Sequence, residues 1–143
     1  MKADQQKIVE GLLAYDRGKY FDKFPIVKED PETHKRYIAD STAFFLAVML
    51  DMGMPAEYVW RKAPHELRKR LGHLNVVKIA EMPREEFTGI VGQRPAIHRY
   101  KKNMAGWVQD ACRRIMDEYG GKPENIWNDH PSPVELESRF REF

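Results

Sequence analysis

The sequence predicts an all-α fold, an irregular multi-helix domain around a buried central helix. Three observations carry this reading. Ala43-Phe44-Phe45-Leu46-Ala47-Val48-Met49-Leu50 is the longest unbroken apolar run in the chain. The punctuation around it runs from Asp40 to Gly53, too long for a strand of ~4–8 residues, and a helix apolar on every side must be wrapped by other elements. The rest of the chain breaks at frequent Pro and Gly into many short helical segments, unlike a four-helix bundle with its fewer, longer helices.

Taken in order, Lys2–Tyr15 reads as an amphipathic helix with Ile8, Val9, Leu12 and Leu13 near one face. From Lys19 to Arg36, aromatics alternate irregularly with charges, and Pro25 and Pro31 break any regular element, so this segment reads as extended or loop. The central helix follows, with Asp40 and Ser41 as N-cap candidates and Gly53 and Pro55 as the stop. A short helix is predicted over Ala56–Lys62, then a restart at Pro64 giving His65–Leu71, ended by Gly72. Val76–Glu81 and Arg84–Val91 are the next two, the latter with Glu85 and Glu86 in its first turn, where the helix dipole favours acids.

The longest helix is predicted over about Lys102–Tyr119. Its apolar face takes Met104, Trp107, Val108, Ala111, Cys112, Ile115 and Tyr119, with Gln109 and Asp110 left to solvent. On that reading, truncating Trp107 to Ala would cost ~3–5 kcal/mol. Pro123–Trp127 and Val134–Phe140 complete the set. The domain organisation expected is an N-terminal helix and extended segment over 1–39, then a helical domain over 40–143.

A chain of 143 residues, 42% hydrophobic and 32% charged, is about one ordinary globular domain. No apolar run approaches the ~18 residues of a membrane span, and Met-Lys-Ala-Asp-Gln-Gln does not open a signal peptide. The expectation is a cytoplasmic protein with no membrane partner. Cys112 is the sole cysteine, so neither an internal disulfide nor a Cys-rich metal cluster is expected. His34, His65, His73, His98 and His130 lack metal-ligand spacing, and no cofactor is expected. The net charge is only +2, but basic residues crowd Arg61–Lys78 and Arg94–Arg114 while the stretch from Asp117 to Phe143 is acidic. A basic middle beside an acidic end suits a surface that meets a polyanion on one side.

The order of these pieces resembles the helix–hairpin–helix DNA glycosylase superfamily, the HhH-GPD group of base-excision repair proteins that includes endonuclease III. The resemblance is carried by three stretches: Phe44 to Asp51; Leu71-Gly72-His73-Leu74 with Ile79 to Phe87; and Arg94 to Tyr100 with the long helix and Glu118-Tyr119-Gly120-Gly121. It covers roughly residues 40–143 and implies the superfamily's fold without its hairpin half. In that superfamily a Leu-Pro-Gly-hydrophobic-Gly hairpin follows a segment like Leu136 to Phe143, and the catalytic aspartate and lysine lie beyond it. These positions have no counterpart here, nor has the superfamily's iron–sulfur cysteine set. The resemblance therefore implies weak binding to double-stranded DNA, and this stretch of chain is expected to be catalytically inactive. The alternative is a non-catalytic helical interaction protein that pairs with itself or another subunit. A missing C-terminal half or a homo-oligomer would complete the core under either reading.

The candidate DNA-binding residues are Arg94, His98, Arg99, Tyr100, Lys101 and Lys102, which place cations and an aromatic at the start of the long helix. Asp51, Met52 and Gly53 join them because they occupy the loop that probes DNA in the superfamily. Asp51 is alternatively a residue paired with a nearby Arg or Lys, and Met52 and Met54 are alternatively core fillers rather than wedges between bases. A second basic cluster, Arg61, Lys62, Arg68, Lys69 and Arg70, reads as a solvated helix face. No catalytic or metal residue is assigned.

Overall fold

The computed structural model describes residues 35, 37 and 39–143. The helix predicted over Lys2–Tyr15 and the extended segment Lys19–Arg36 lie outside the described residues, except for Lys35, which is helical, as are Tyr37 and Ala39. All regular structure among the described residues is helical. The α-helices are α1 (Ser41–Leu50), α2 (Ala56–Leu71), α3 (Val76–Glu81), α4 (Arg84–Gly92), α5 (Lys101–Tyr119) and α6 (Pro133–Arg141), with a 3-10 turn at Pro123–Ile126 before α6. None of them is long and apolar enough to cross a membrane.

Helix α1 is the predicted central helix. Asp40 caps it by accepting a hydrogen bond from the Ala43 N–H at 2.9 Å, and its other carboxylate oxygen pairs with Arg68. No residue of α1 is exposed: Ala43, Phe45, Leu46, Ala47, Met49 and Leu50 are buried and the rest half-buried. Helix α2 packs along it, α5 and the 3-10 turn touch its other sides, and Phe143 meets Phe45 edge-on at 5.3 Å. Tyr37 is buried and stands edge-on to Trp60 at 5.6 Å.

The sequence predicted two helices where α2 is one. Pro64 sits inside it without ending it. A mid-helix proline forfeits one backbone hydrogen bond and crowds the preceding turn, at a cost of ~3 kcal/mol. Here Pro64 is itself buried with Val59, Ala63 and Leu67 on the face turned to the core, so tertiary burial offsets the local penalty. Gly72 stops the helix in the left-handed region, φ 76°, with its N–H on the Arg68 carbonyl at 2.7 Å.

Helix α5 is the second hub, packing chiefly on α3 and α4 and also on α1. Its buried arc differs from the predicted one at both margins. Trp107 is 42% exposed, so it does not lie on the core face. Gln109 is buried instead, and its amide donates to the carbonyls of Ile79 (3.0 Å) and Met82 (2.8 Å) at the end of α3. Met104, Val108, Ala111, Cys112 and Ile115 are buried as predicted. The arc is centred nearer Gln109 because α3 ends there with carbonyls that need a donor.

Candidate nucleic-acid interface

The loop between α4 and α5 is short, polar and rich in cations, yet its backbone is fixed from several sides. Arg70, on α2, reaches across and donates to two of its carbonyls, Gln93 (2.9 Å) and Pro95 (2.6 Å), and to the Ile90 carbonyl (2.9 Å) in the last turn of α4. Glu66 orients the same guanidinium through a 2.9 Å ion pair. The Arg70 side chain is only 7% exposed. Reading it as part of a solvated face was wrong: the loop supplies carbonyl acceptors that no sequence pattern announces. Tyr58 adds a hydrogen bond to the Ile97 carbonyl at 3.3 Å, and Ile97 is buried beneath the loop.

His98 joins this loop to the one after α1. Its Nδ1 accepts the Tyr100 N–H at 3.0 Å and its Nε2 lies 2.9 Å from the Met52 carbonyl. These partners fix the neutral tautomer with the proton on Nε2, donating to Met52. Burial pushes the imidazole below its ordinary pKa of 6.5; the Met52 carbonyl opposes this, and Arg99 adds to the depression. His98 is 1% exposed, so as a DNA-contacting candidate it is corrected: both ring nitrogens are occupied by backbone, and the residue is a clip. Gly53 completes the joint. It takes φ 70°, and a Cβ there would press on the Tyr100 ring at 3.1 Å, so a side chain at 53 would be both strained and crowded.

The two predicted segments, Asp51 to Gly53 and Arg94 to Lys102, are thus brought together. Met52 and Tyr100 are both exposed at the joint. Asp51 is half-buried at the C-terminus of α1. Its Oδ1 is buried without a hydrogen-bond partner, and among the described residues it enters no ion pair, so the alternative of an Arg or Lys partner is corrected. Met54 is half-buried against the core, as a filler would be. Arg94, Arg99, Lys101 and Lys102 are exposed and, among the described residues, enter no side-chain hydrogen bond or ion pair. They flank the start of α5, whose first turn holds no acid and no side-chain cap.

No protein-family model, curated protein or solved structure matches this chain. The remaining chemistry must therefore be read from the geometry. Among the described residues no group of His, Cys, Asp and Glu is arranged to hold a metal ion. Cys112 is buried, and burial pushes its thiol up to about 12, far from the thiolate a nucleophile needs. What the joint offers is a fixed backbone, unpaired cations and an exposed ring, an arrangement suited to holding phosphates and stacking on a base.

Proposed function

We propose that this chain is a DNA-binding helical module of the base-excision repair glycosylase type, without catalytic groups of its own, and that it meets double-stranded DNA weakly along the edge formed by Arg94, Arg99, Tyr100, Lys101 and Lys102 with Met52 beside them. One observation carries the reading: these four cations have no partner among the described residues, and they stand on, or directly after, a loop whose backbone is fastened by Arg70, Tyr58 and His98, with Arg94 and Arg99 in the loop and Lys101 and Lys102 opening α5. An unpaired cation on a fixed backbone is available to a phosphate without first breaking an internal contact. The free N–H groups of the first turn of α5 favour the same anion. The likeness to HhH-GPD glycosylases belongs to this proposal, supported by the wrapped apolar helix and by the contact of the loop after it with a basic loop.

The test is duplex binding by fluorescence anisotropy across a salt series. Replacing Arg99, Lys101 and Lys102 together with Ala should flatten the log–log salt slope by roughly 0.9 for each phosphate no longer neutralised. Replacing Lys62, Arg68 and Lys69 should change it less. Absence of binding at low salt, or equal losses from both triple variants, sinks the assignment.

A second reading, an interaction protein that pairs with itself or another subunit, is favoured by the exposure of Trp107 and Met52, 42% and 58%. Concentration-dependent sedimentation that Trp107→Ser abolishes would put it first.

A further inference from the structure

Between α4 and the start of α5 runs an open groove of about 730 Å³, within the size range of small-molecule sites. Gly89 and Gly92 line it, and of the two only Gly89 leaves its backbone uncovered. A Cβ at Gly89 would meet nothing within 4 Å, and one at Gly92 would collide with the Lys101 Cδ. The Lys101 stem therefore lies over Gly92 while its ammonium has no partner among the described residues. Lys102 lines the same end. At the other end Arg84 pairs with Asp110, its Nη2 2.7 Å from Asp110 Oδ1 and its Nη1 filling the space a side chain at Gly106 would need. On the wall between, Thr88 donates its hydroxyl proton to the Arg84 carbonyl at 2.8 Å, which leaves the oxygen's lone pairs free to accept.

We propose that this groove binds a nucleoside phosphate, with the phosphate on Lys101 and Lys102 and the planar base along the glycine floor towards Thr88. Charge sets the occupant and its direction. Two unpaired ammonium groups at one end call for a multiply charged anion, while Glu85, which follows Arg84 in the chain and also lines the groove, repels one and so favours the phosphate at the lysine end. Around Gly89 the floor carries no side chain, so the occupant needs an uncharged flat body as well as its anion; bare phosphate or sulfate would leave most of the groove empty. The same chemistry has two sources, a free nucleotide or the 5′-phosphorylated end of a strand. The inference shares Lys101 and Lys102 with the DNA-binding reading and otherwise stands apart from it.

The test titrates the full chain with deoxyadenosine monophosphate, deoxyadenosine and inorganic phosphate, followed by amide shifts of Gly89 and Gly92. Saturable binding of the nucleotide is expected, with each half alone at least about tenfold weaker. Gly89→Leu, which fills the floor, should weaken the nucleotide about tenfold at unchanged Tm and leave duplex binding through Arg94 and Arg99 intact. Should Gly89→Leu not fold, Lys101→Ala with Lys102→Ala, both exposed and unpartnered, takes its place with the same expected loss. A 5′-phosphorylated single strand that binds better than its 5′-hydroxyl twin assigns the source to a strand end; equal binding of the two, with the mononucleotide bound, assigns it to a free nucleotide. The proposal is overturned if the nucleotide does not saturate, if inorganic phosphate binds as well as the nucleotide, or if the variant that folds binds like the parent. Loss of duplex binding alone removes the DNA reading and leaves this one standing.

Discussion

The two basic clusters look alike as strings of residues and differ in almost everything else. In the α2 cluster the arginines are engaged internally: Arg61 with Glu57, Arg68 with Asp40, and Arg70 with Glu66 and three carbonyls in the last turn of α4 and the loop after it. In the cluster from Arg94 to Lys102 no cation has a partner among the described residues. The first cluster builds the platform on which the second stands. Cation density alone therefore does not locate a binding surface; what matters is whether the neighbouring backbone and carboxylates already use the charge.

The sharpest way to break this comparison is to delete one arginine from each cluster. Arg70→Ala should lower the unfolding free energy by on the order of 3 kcal/mol, because a nearly buried guanidinium leaves three carbonyls without their donor. Arg99→Ala should stay within about 0.5 kcal/mol. Denaturant melts read both, and equal losses would erase the distinction. The same contrast repeats on α5. Gln109→Leu should cost about 1–3 kcal/mol by stranding the Ile79 and Met82 carbonyls, and Trp107→Ala, half-exposed, should cost less, about 1 kcal/mol. A larger loss from Trp107→Ala would restore the helix face read from periodicity.

The clip between the loops gives a pH test. Because the folded chain disfavours protonated His98, the unfolded chain binds the proton more readily, so stability is fully present above an ordinary pKa of 6.5 and falls as the pH drops below it towards the lower folded value. His98→Gln should flatten that part of the stability profile relative to the parent chain; an unchanged profile would show that His98 does not carry it. A small effect of the opposite sign is expected at Asp51. A carboxylate at a helix C-terminus is repelled by the dipole, and this one has no partner among the described residues, so Asp51→Asn should stabilise by roughly 0.3–1 kcal/mol. A loss of stability would reveal a contact that Asp51 makes and Asn cannot.

The sequence made the central helix legible because eight consecutive apolar residues between a capping Asp and a Gly leave few other solutions. The pairing of Asp51 to Gly53 with Arg94 to Lys102 was not legible from residue pattern. Both were separate DNA-binding candidates, the first from the resemblance and the second from its charge at a helix start, but nothing in either supplied the means of contact, a histidine held by two backbone groups. Pro64 misled because local rules predict a break and cannot weigh burial from across the fold. Trp107 and Gln109 were exchanged because an apolar residue at the margin of a helical arc outscores an amide, while the structure needed a donor where α3 ends. Arg70 was missed because its partners are carbonyls, which every residue has, some 20–25 positions along the chain.

The fastening of the loop between α4 and α5 has one more consequence. Arg70 and Tyr58 hold it through main-chain atoms, and its own Ile97 anchors it by burial, not through the outward side chains at 94, 96 and 99. Those outward positions can therefore be rewritten in evolution or by hand while the backbone keeps its path. The loop is a socket whose shape is inherited from α2 and whose specificity is free to drift, and a library randomised at those three positions should retain its folded members.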